Sequence, residues 1–502
     1  MNDWLSSSVL TLSVLTLYYL VLGMLALYGV HRLALVWAFL RTRRQSSETP
    51  PEPTTWPRVT VQLPIFNEKY VAERLVEAVA ALDYPRDRLE IQVLDDSTDE
   101  TTSIVAQLVE RLQGQGVDIH HLHRSDREGF KAGALKAGLE VAAGDLVAVF
   151  DADFVPEGDF LRRAVPHFAN DKVGMVQARW GHLNRDYSLL TRAQAILLDG
   201  HFVVEHTARQ RSGCFFNFNG TAGIWRREAI TDAGGWEHDT LTEDLDLSYR
   251  AQLRGWRFVY LPDLVVPAEL PAEINAYKSQ QNRWAKGSIQ TCRKLLGTVL
   301  RSKLPWHAKL EAFIHLTNNS AYLLMLALSF LIFPAMALRR DEGSWMLYAF
   351  DLPVFFLATV SVVIFFLVSQ ATTGHSWWRS LLRMPAMMGL GIGLSVNNAR
   401  AVVSGLLRDG GVFHRTPKYN IDGGGGGWGG KSYRLPTNIS FYVEAFLAIY
   451  FVVCFVAAIQ WQMWSSLPFL YLFLHGYAYM LLLRVFPRGR RPSALRQVEA
   501  TS

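Results

Sequence analysis

LVAVFDADF, residues 146–154, is the stretch on which the reading of this chain turns. Residues 146–150 form a short continuous apolar run, the pattern of a strand buried on both faces. Asp151 and Asp153 follow at once. In an extended chain residues two apart point the same way, so two carboxylates would converge at the strand's carboxyl end. That is a hard-oxygen arrangement suited to Mg²⁺ or Mn²⁺, with positions left over for phosphate oxygens and water. Most isolated Asp-X-Asp pairs are solvated loop charges, and the placement directly behind VAVF sets this one apart.

Upstream, strand-like and helix-like segments alternate. Residues 59–63, 90–94 and 119–122 read as strands, and 70–82, 100–112 and 131–143 as helices. Such repetition predicts a parallel α/β sheet, whose ligands bind beyond the carboxyl ends of its strands. A second strand ends in acid: EIQVLDDSTDET delivers Asp95 and Asp96. Two readings stand for that pair, a cap for the following helix or a hydrogen-bond acceptor for a nucleotide base. Lys131, in REGFKAGAL, is either a surface lysine or a diphosphate partner at the start of its helix.

LTEDLDLSYRAQLRGW, residues 241–256, predicts a helix with Thr242 near its start and Gly255 just past its end. Glu243 and Asp244 in the first turn satisfy the helix dipole, and a carboxylate there would equally serve as a general base. Further on, YKSQQNRWAKGS (277–288) puts Gln280, Arg283 and Trp284 on one helical face. That face suits an interfacial helix with Trp at headgroup depth and a snorkelling Arg. It also suits a site in which the guanidinium meets a diphosphate, the indole carries a sugar ring and the amide orients either one.

Half of the 502 residues are hydrophobic, and they gather towards the two ends of the chain. Segments 8–30, 314–338, 345–368, 439–459 and 464–486 each meet the roughly 20-residue requirement for a membrane span. The first is too long for a secretory signal and lacks a small-residue cleavage site, so it reads as an uncleaved anchor. Cys214, Cys292 and Cys454 lack metal spacing and exclude a disulfide framework. The net charge of +5 is modest for a membrane protein, and much of the Lys and Arg lies beside the spans, so nucleic-acid binding is not suggested. Arg41, Arg43 and Arg44 place the segment behind the first span in the cytoplasm, and four later spans return Arg484, Arg488, Arg490 and Arg491 to the same side. Residues 384–396 are apolar, Gly-rich and short; charge favours a helix lying along the cytoplasmic interface and continued by 395–407. The expected organisation is an anchor (1–45), a Pro-rich linker (46–57), an α/β domain (58–270), an interfacial helix (271–310), two spans (311–370), an interfacial helix and loop (371–437), two spans (438–487) and a basic tail (488–502). Segment 422–430, DGGGGGWGG, reads as a flexible connector.

In this order, and followed by spans, Asp95/Asp96, Asp151-x-Asp153, Thr242-Glu243-Asp244 and Gln280-x-x-Arg283-Trp284 resemble the motifs of membrane-bound family-2 glycosyltransferases. The likeness is greatest to the cellulose synthase, cellulose-synthase-like mannan and glucomannan synthase, and hyaluronan synthase group. It covers nearly the whole chain, and the four motifs are specific together although none is alone. The resemblance implies a GT-A type domain inserted between transmembrane helices, in a bacterial inner or plasma membrane. It implies inverting hexose transfer from GDP-mannose or UDP-glucose to a growing β-linked polysaccharide, export through the same polypeptide, and room for accessory export proteins.

Carried onto this sequence, the resemblance makes Asp95 or Asp96 the base contact, Lys131 a diphosphate contact, and Asp151 and Asp153 the nucleotide and metal ligands. Asp244, beside Glu243, becomes the general base; Arg283 holds the diphosphate and Trp284 stacks at the acceptor end, with Gln280 alongside. Segment 215–227, FFNFNGTAGIWRR, looks like the acceptor-site loop. FHRTPKY, residues 413–419, looks like a loop closing over bound nucleotide, with Thr416 and Lys418 on phosphate. The single span ahead of the domain suits the glucomannan-synthase-like branch, and the cyclic-dinucleotide regulatory domain of bacterial cellulose synthases is not expected. Two other readings stand beside this one. The first is a single-transfer lipid glycosyltransferase similar to ceramide glucosyltransferases; the second is an inactive sugar-binding transporter or sensor, in which His315, Asn318 and Asn319 would do the work.

Overall fold

The computed structural model describes residues 2–43, 50–340, 351–411, 415–421 and 440–485. Arg44, residues 46–49 of the linker, the start of the 345–368 span, Phe413, segment 422–430 and the tail 488–502 lie outside them.

The first half of the domain follows the alternation in the sequence. Strands β1 (Val59–Ile65), β2 (Leu89–Asp95), β3 (Ile119–His123) and β4 (Leu146–Val149) are connected by helices α2 (Ala72–Ala80), α3 (Thr101–Gly114) and α4 (Phe130–Val141), behind the N-terminal helix α1 (Asn2–Thr42). Along β1 the side chains of Val59, Val61 and Leu63 have no exposed surface and pack under α2 and α3; burying each contributes about 1.5–3 kcal/mol. The alternate face is polar yet equally buried, and its groups pair across strands: Thr60 donates to Glu90 at 2.5 Å and Gln62 to Gln92 at 3.1 Å. Pairing of that kind is what a buried polar group requires.

The second half departs from the parallel expectation. Strands β5 (Val173–His182), β6 (Gly223–Arg226) and β7 (Arg257–Ala268) complete a seven-stranded sheet in the order β3-β2-β1-β4-β6-β5-β7. Strands β1 to β4 are mutually parallel, but β6 is antiparallel to both β4 and β5. The cause lies in the connection. Helix α5 (Leu189–Asp199), the π-helical turn Gly200–His206 and the loop behind it bring the chain to the carboxyl end of β4, where Gly223 pairs with Val149. From there the strand can only run backwards, so the sheet is mixed.

Helix α6 (Glu243–Leu253) precedes β7, and α7 (Ile274–Arg301) and α8 (Trp306–Thr317) follow it. The apolar helices α9 (Ser320–Arg339), α10 (Leu352–Thr372), α13 (Ser440–Gln460) and α14 (Leu467–Val485) come next, with α11 (Trp377–Gly393) and α12 (Ser395–Leu407) between α10 and α13. Among the described residues five helices are long and apolar enough to cross a membrane, Val9–Thr42, Ser320–Arg339, Leu352–Thr372, Ser440–Gln460 and Trp464–Arg484, or six if the bent pair Trp377–Gly393 and Ser395–Leu407 forms one span. The chain is thus an α/β domain set between α-helical membrane segments. Two details differ from the sequence reading. The apolar stretch 314–338 is interrupted by a turn at Asn318 and Asn319, leaving α8 as a separate helix. Helix α11 begins at Trp377, well ahead of residue 384, and meets α12 at a bend of 41°.

Candidate active site

The carboxyl ends of β1, β2 and β4, the amino ends of α4 and α6, and one face of α7 enclose a cleft of about 1250 Å³ counting its mouth. Of the residues singled out in the sequence, Asp96, Lys131, Asp151, Asp153, Glu243, Asp244, Gln280, Arg283, Trp284, Thr416 and Lys418 all line it. Asp95 does not.

Asp95 and Asp96 face opposite ways. The Asp95 side chain has no exposed surface; its Oδ2 accepts from His121 at 2.9 Å and lies 3.3 Å from His123, and its Oδ1 accepts the Ser97 N–H at 2.8 Å. Burial alone would raise its pKa, but the His121 and Ser97 hydrogen bonds outweigh that and hold it at about 2. Asp96 turns into the cleft, gripped by Arg124 through Nε at 2.8 Å and Nη2 at 2.6 Å. Neither caps α3, whose first turn is held instead by Asp99 accepting from the Thr101 N–H at 2.9 Å.

Strand β4 ends at Val149, so Asp151 and Asp153 lie in a turn and not in extended chain. The turn is closed by the Phe154 N–H donating to the Asp151 carbonyl at 3.0 Å, and both carboxylates still reach the cleft. Asp151 takes the Lys131 ammonium, and Asp153 takes that of Lys418 at 2.5 Å. An ammonium is paired with each carboxylate; as hard oxygen donors reaching the cleft, the two are of the type that suits Mg²⁺ or Mn²⁺. Another acidic grouping in the domain, Glu237, Asp239 and Asp246, is already neutralised by Lys294 at 2.5, 2.8 and 3.0 Å.

Glu243 and Asp244 open α6 side by side at the floor of the cleft. Burial, then the neighbouring Glu243 carboxylate, pushes Asp244 up to about 7. Burial raises Glu243 as well, opposed by Lys131. Lys131 is held above its ordinary value, because Asp151 and Glu243 outweigh the burial that opposes its charge. Its ammonium also donates to the Gly220 carbonyl at 2.8 Å. Gly220 has a φ of +82°, and a Cβ there would stand 2.9 Å from Asp244 Oδ2, so only glycine leaves this approach open.

Helix α7 presents Gln280, Arg283 and Trp284 from the other side. Arg283 sits in the field of Glu243, Asp151, Asp244 and Asp153, which oppose the lowering of its pKa by burial. The Trp284 ring lies 6.4 Å from Trp180, which packs in turn on Phe154 and Phe202 at 5.1 and 4.9 Å. Close packing sets this height: a Cβ at Gly287 would stand 2.6 Å from Thr242 Cγ2 and 2.8 Å from the Thr242 backbone nitrogen.

The segment 415–421 lies across the mouth. Glu269 accepts the backbone N–H groups of Tyr419 and Ile421 at 2.7 and 3.2 Å, and Arg415 pairs with Glu68 at 3.2 Å. The Thr416 hydroxyl is buried without a hydrogen-bond partner among the described residues. Glu68 itself is pushed to about 7 by burial, against the pull of Arg415. Glu68, Arg124, Trp180 and Glu269 are not singled out by the sequence reading. Glu68 had a signal: like Asp95 and Asp151, it lies just past the carboxyl end of a parallel strand.

An acid-lined cleft at the strand ends of a mixed sheet, flanked by membrane helices, defines a GT-A type domain. Residues 57–287 match the family described as "Glycosyltransferase like family 2". Among curated proteins it is 48% identical over 258 residues to glucomannan 4-beta-mannosyltransferase 2 of Arabidopsis thaliana, covering 50% of this chain and 48% of that protein. To glucomannan 4-beta-mannosyltransferase 1 of Oryza sativa subsp. japonica it is 46% identical over 255 residues, covering 50% and 49%. The chain thus spans about half the length of the curated relatives it matches. Among solved structures it is similar to mannosyltransferase PcManGT from Pyrobaculum calidifontis in complex with GDP-Man and Mn²⁺. The TM-score is 0.52 at 24% identity, over 77% of this chain and 99% of that one, a likeness of fold.

Proposed function

We propose that the protein is a processive, inverting hexosyltransferase that extends a β-linked polysaccharide from a nucleotide sugar, GDP-mannose before UDP-glucose, and passes the product through its own membrane helices. The observation that carries this is the convergence in one cleft of Asp244, Arg283, Lys131 and the Asp151/Asp153 pair. The names of the relatives favour mannose as the transferred sugar.

Asp96 accepts from the nucleotide base, with Arg124 holding its carboxylate still. Lys131 and Arg283 flank the diphosphate and stabilise the charge that develops as it leaves. Thr416, its buried hydroxyl without another partner among the described residues, and Lys418 meet the phosphates from the segment across the mouth. A Mg²⁺ or Mn²⁺ ion held by Asp151 and Asp153 would supply Lewis-acid stabilisation of the same diphosphate. Asp244, with a pKa near working pH, removes the proton of the acceptor hydroxyl. The resulting alkoxide character drives attack at the anomeric carbon from the face opposite the diphosphate, which inverts an α-linked donor to a β-link. Trp284 supports the acceptor ring, and Gln280 orients it. The acceptor enters past Asn219, whose amide is fixed between His206 at 2.6 Å and His201 at 2.9 Å. The cations behind α1 favour a cytoplasmic domain.

Purified protein incubated with radiolabelled GDP-mannose and Mn²⁺ or Mg²⁺ should release GDP and form a long, β-mannanase-sensitive polymer. A single sugar on an organic-extractable lipid would overturn processive synthesis. Failure to consume any nucleotide sugar would overturn the enzymatic reading.

A further inference from the structure

Helix α7 has two working faces. At 100° per residue, Gln280, Arg283, Trp284 and Gly287 fall on one side and Lys278, Asn282, Ala285 and Ile289 on the opposite side. The first face lines the cleft. The second meets the membrane helices, and its polar contacts are unusual for so apolar a setting. Lys278 Nζ lies 2.7 Å from both carboxylate oxygens of Glu444, and both side chains are buried. Glu444 belongs to α13, an otherwise apolar candidate span. The backbone around the pair is fixed as well. Asn397 of α12 donates to the Lys278 carbonyl at 2.9 Å, and Asn282 donates to the Asn397 carbonyl at 3.1 Å. Arg484, at the end of α14, also faces the pair.

Stability is a poor reason to keep such a pair. Desolvating two charges offsets most of their attraction, and apolar residues of similar size often serve as well. Direction is a better one, because the buried pair and the Asn397 and Asn282 contacts to backbone beside it tie one face of α7 to α12 and α13 at once. If α7 turned by about 20°, a guanidinium about 7 Å from its axis would move by about 2 Å. A misplacement of about 1 Å is enough to slow a reaction about a hundredfold.

We infer that Lys278 and Glu444 are positioning residues for sugar transfer: their ion pair fixes the rotation of α7 against the membrane helices and thereby aims Arg283 and Trp284 into the cleft. The inference rests on the roles given to Arg283 and Trp284 above. Glu444 does not line the cleft, so the effect of changing it on sugar transfer is indirect.

The decisive comparison uses full-length protein in detergent, with GDP-mannose as donor and GDP release as readout. The paired variant Lys278→Met with Glu444→Leu should unfold at the wild-type temperature and keep its donor KM within about twofold, yet lose kcat by about tenfold or more. The exchange Lys278→Glu with Glu444→Lys should recover most of that loss. Wild-type kcat in the apolar pair would overturn the inference, as would a rise in donor KM that matches the fall in kcat. Should the apolar pair not fold, Glu444→Asp, which withdraws the carboxylate by one methylene, gives the same reading: lower kcat at unchanged KM and unfolding temperature supports the role, and unchanged kcat defeats it. A wild type that consumes no nucleotide sugar sinks the proposed function itself, whereas an active wild type with indifferent variants sinks only the positioning role.

Discussion

Asp95-Asp96 and Glu243-Asp244 are both pairs of adjacent acids, both at the rim of the same sheet, and the protein treats them in opposite ways. The first pair is saturated with donors: Asp95 is held at about 2 by His121 and Ser97 against its burial, and Asp96 is clasped by Arg124. The second pair is buried against itself, and Asp244 is pushed up to about 7. One dipeptide type thus yields a carboxylate at Asp95 held deprotonated and a carboxyl at Asp244 pushed towards neutrality. Neighbours, and not residue identity, divide the labour.

The sharpest way to break this comparison is Asp244→Asn. Losing the base should cut kcat about a thousandfold while leaving donor KM nearly unchanged, measured by GDP release; near-normal turnover would remove Asp244 from the role. Next is Arg283→Lys. Arg283 stands to the second pair as Arg124 stands to the first, except that it is shared among four carboxylates. A lysine keeps the charge but loses the planar fork, and kcat should fall about a hundredfold. A smaller effect is expected from Asp96→Asn, which leaves Arg124 without its partner at the base: donor KM should rise about tenfold with kcat little altered.

The gentlest test is of pH. Asp244 must be ionised to accept a proton, so activity should decline as pH falls through about 7. Glu243→Gln removes the like charge that helps raise Asp244, and the acid limb of the pH–rate profile should move to more acidic pH. Stability should move the other way. A carboxyl whose folded pKa lies above its unfolded value holds its proton in the folded state, so stability is lost as pH rises from the ordinary carboxylate range through about 7. Asp244→Asn should therefore raise Tm most at pH 8, by less at pH 5 and hardly at all at pH 3, by thermal unfolding in detergent. Asp95, with its depressed pKa, contributes stability above the ordinary carboxylate range that is lost as pH falls towards 2.

The contrast between the pairs also marks where sequence reasoning runs out. Strands β1 to β4 were legible because short β-prone runs there alternate with segments of helical period. Strand β6 was not, because its pairing and direction depend on where the loop behind His206 delivers the chain. The acids at strand ends could be read from the alternation, and the same rule would have reached Glu68. Which member of Asp95-Asp96 faces the cleft could not, since it depends on His121 arriving on β3 beside Asp95. Trp180 gave no signal for a similar reason: its neighbours Phe154, Phe202 and Trp284 come from three distant parts of the chain.

Gly287 deserves a last consequence. Because no atom projects from its Cα, α7 can rest directly on the backbone at Thr242, the residue before the acidic pair. The gauge between the group that would take a proton and the group that would steady the departing phosphates is therefore set by a missing methyl. A single alanine would act as a shim, widening that gauge while every reactive side chain stayed in place, and the protein would keep all its tools with the workpiece out of reach.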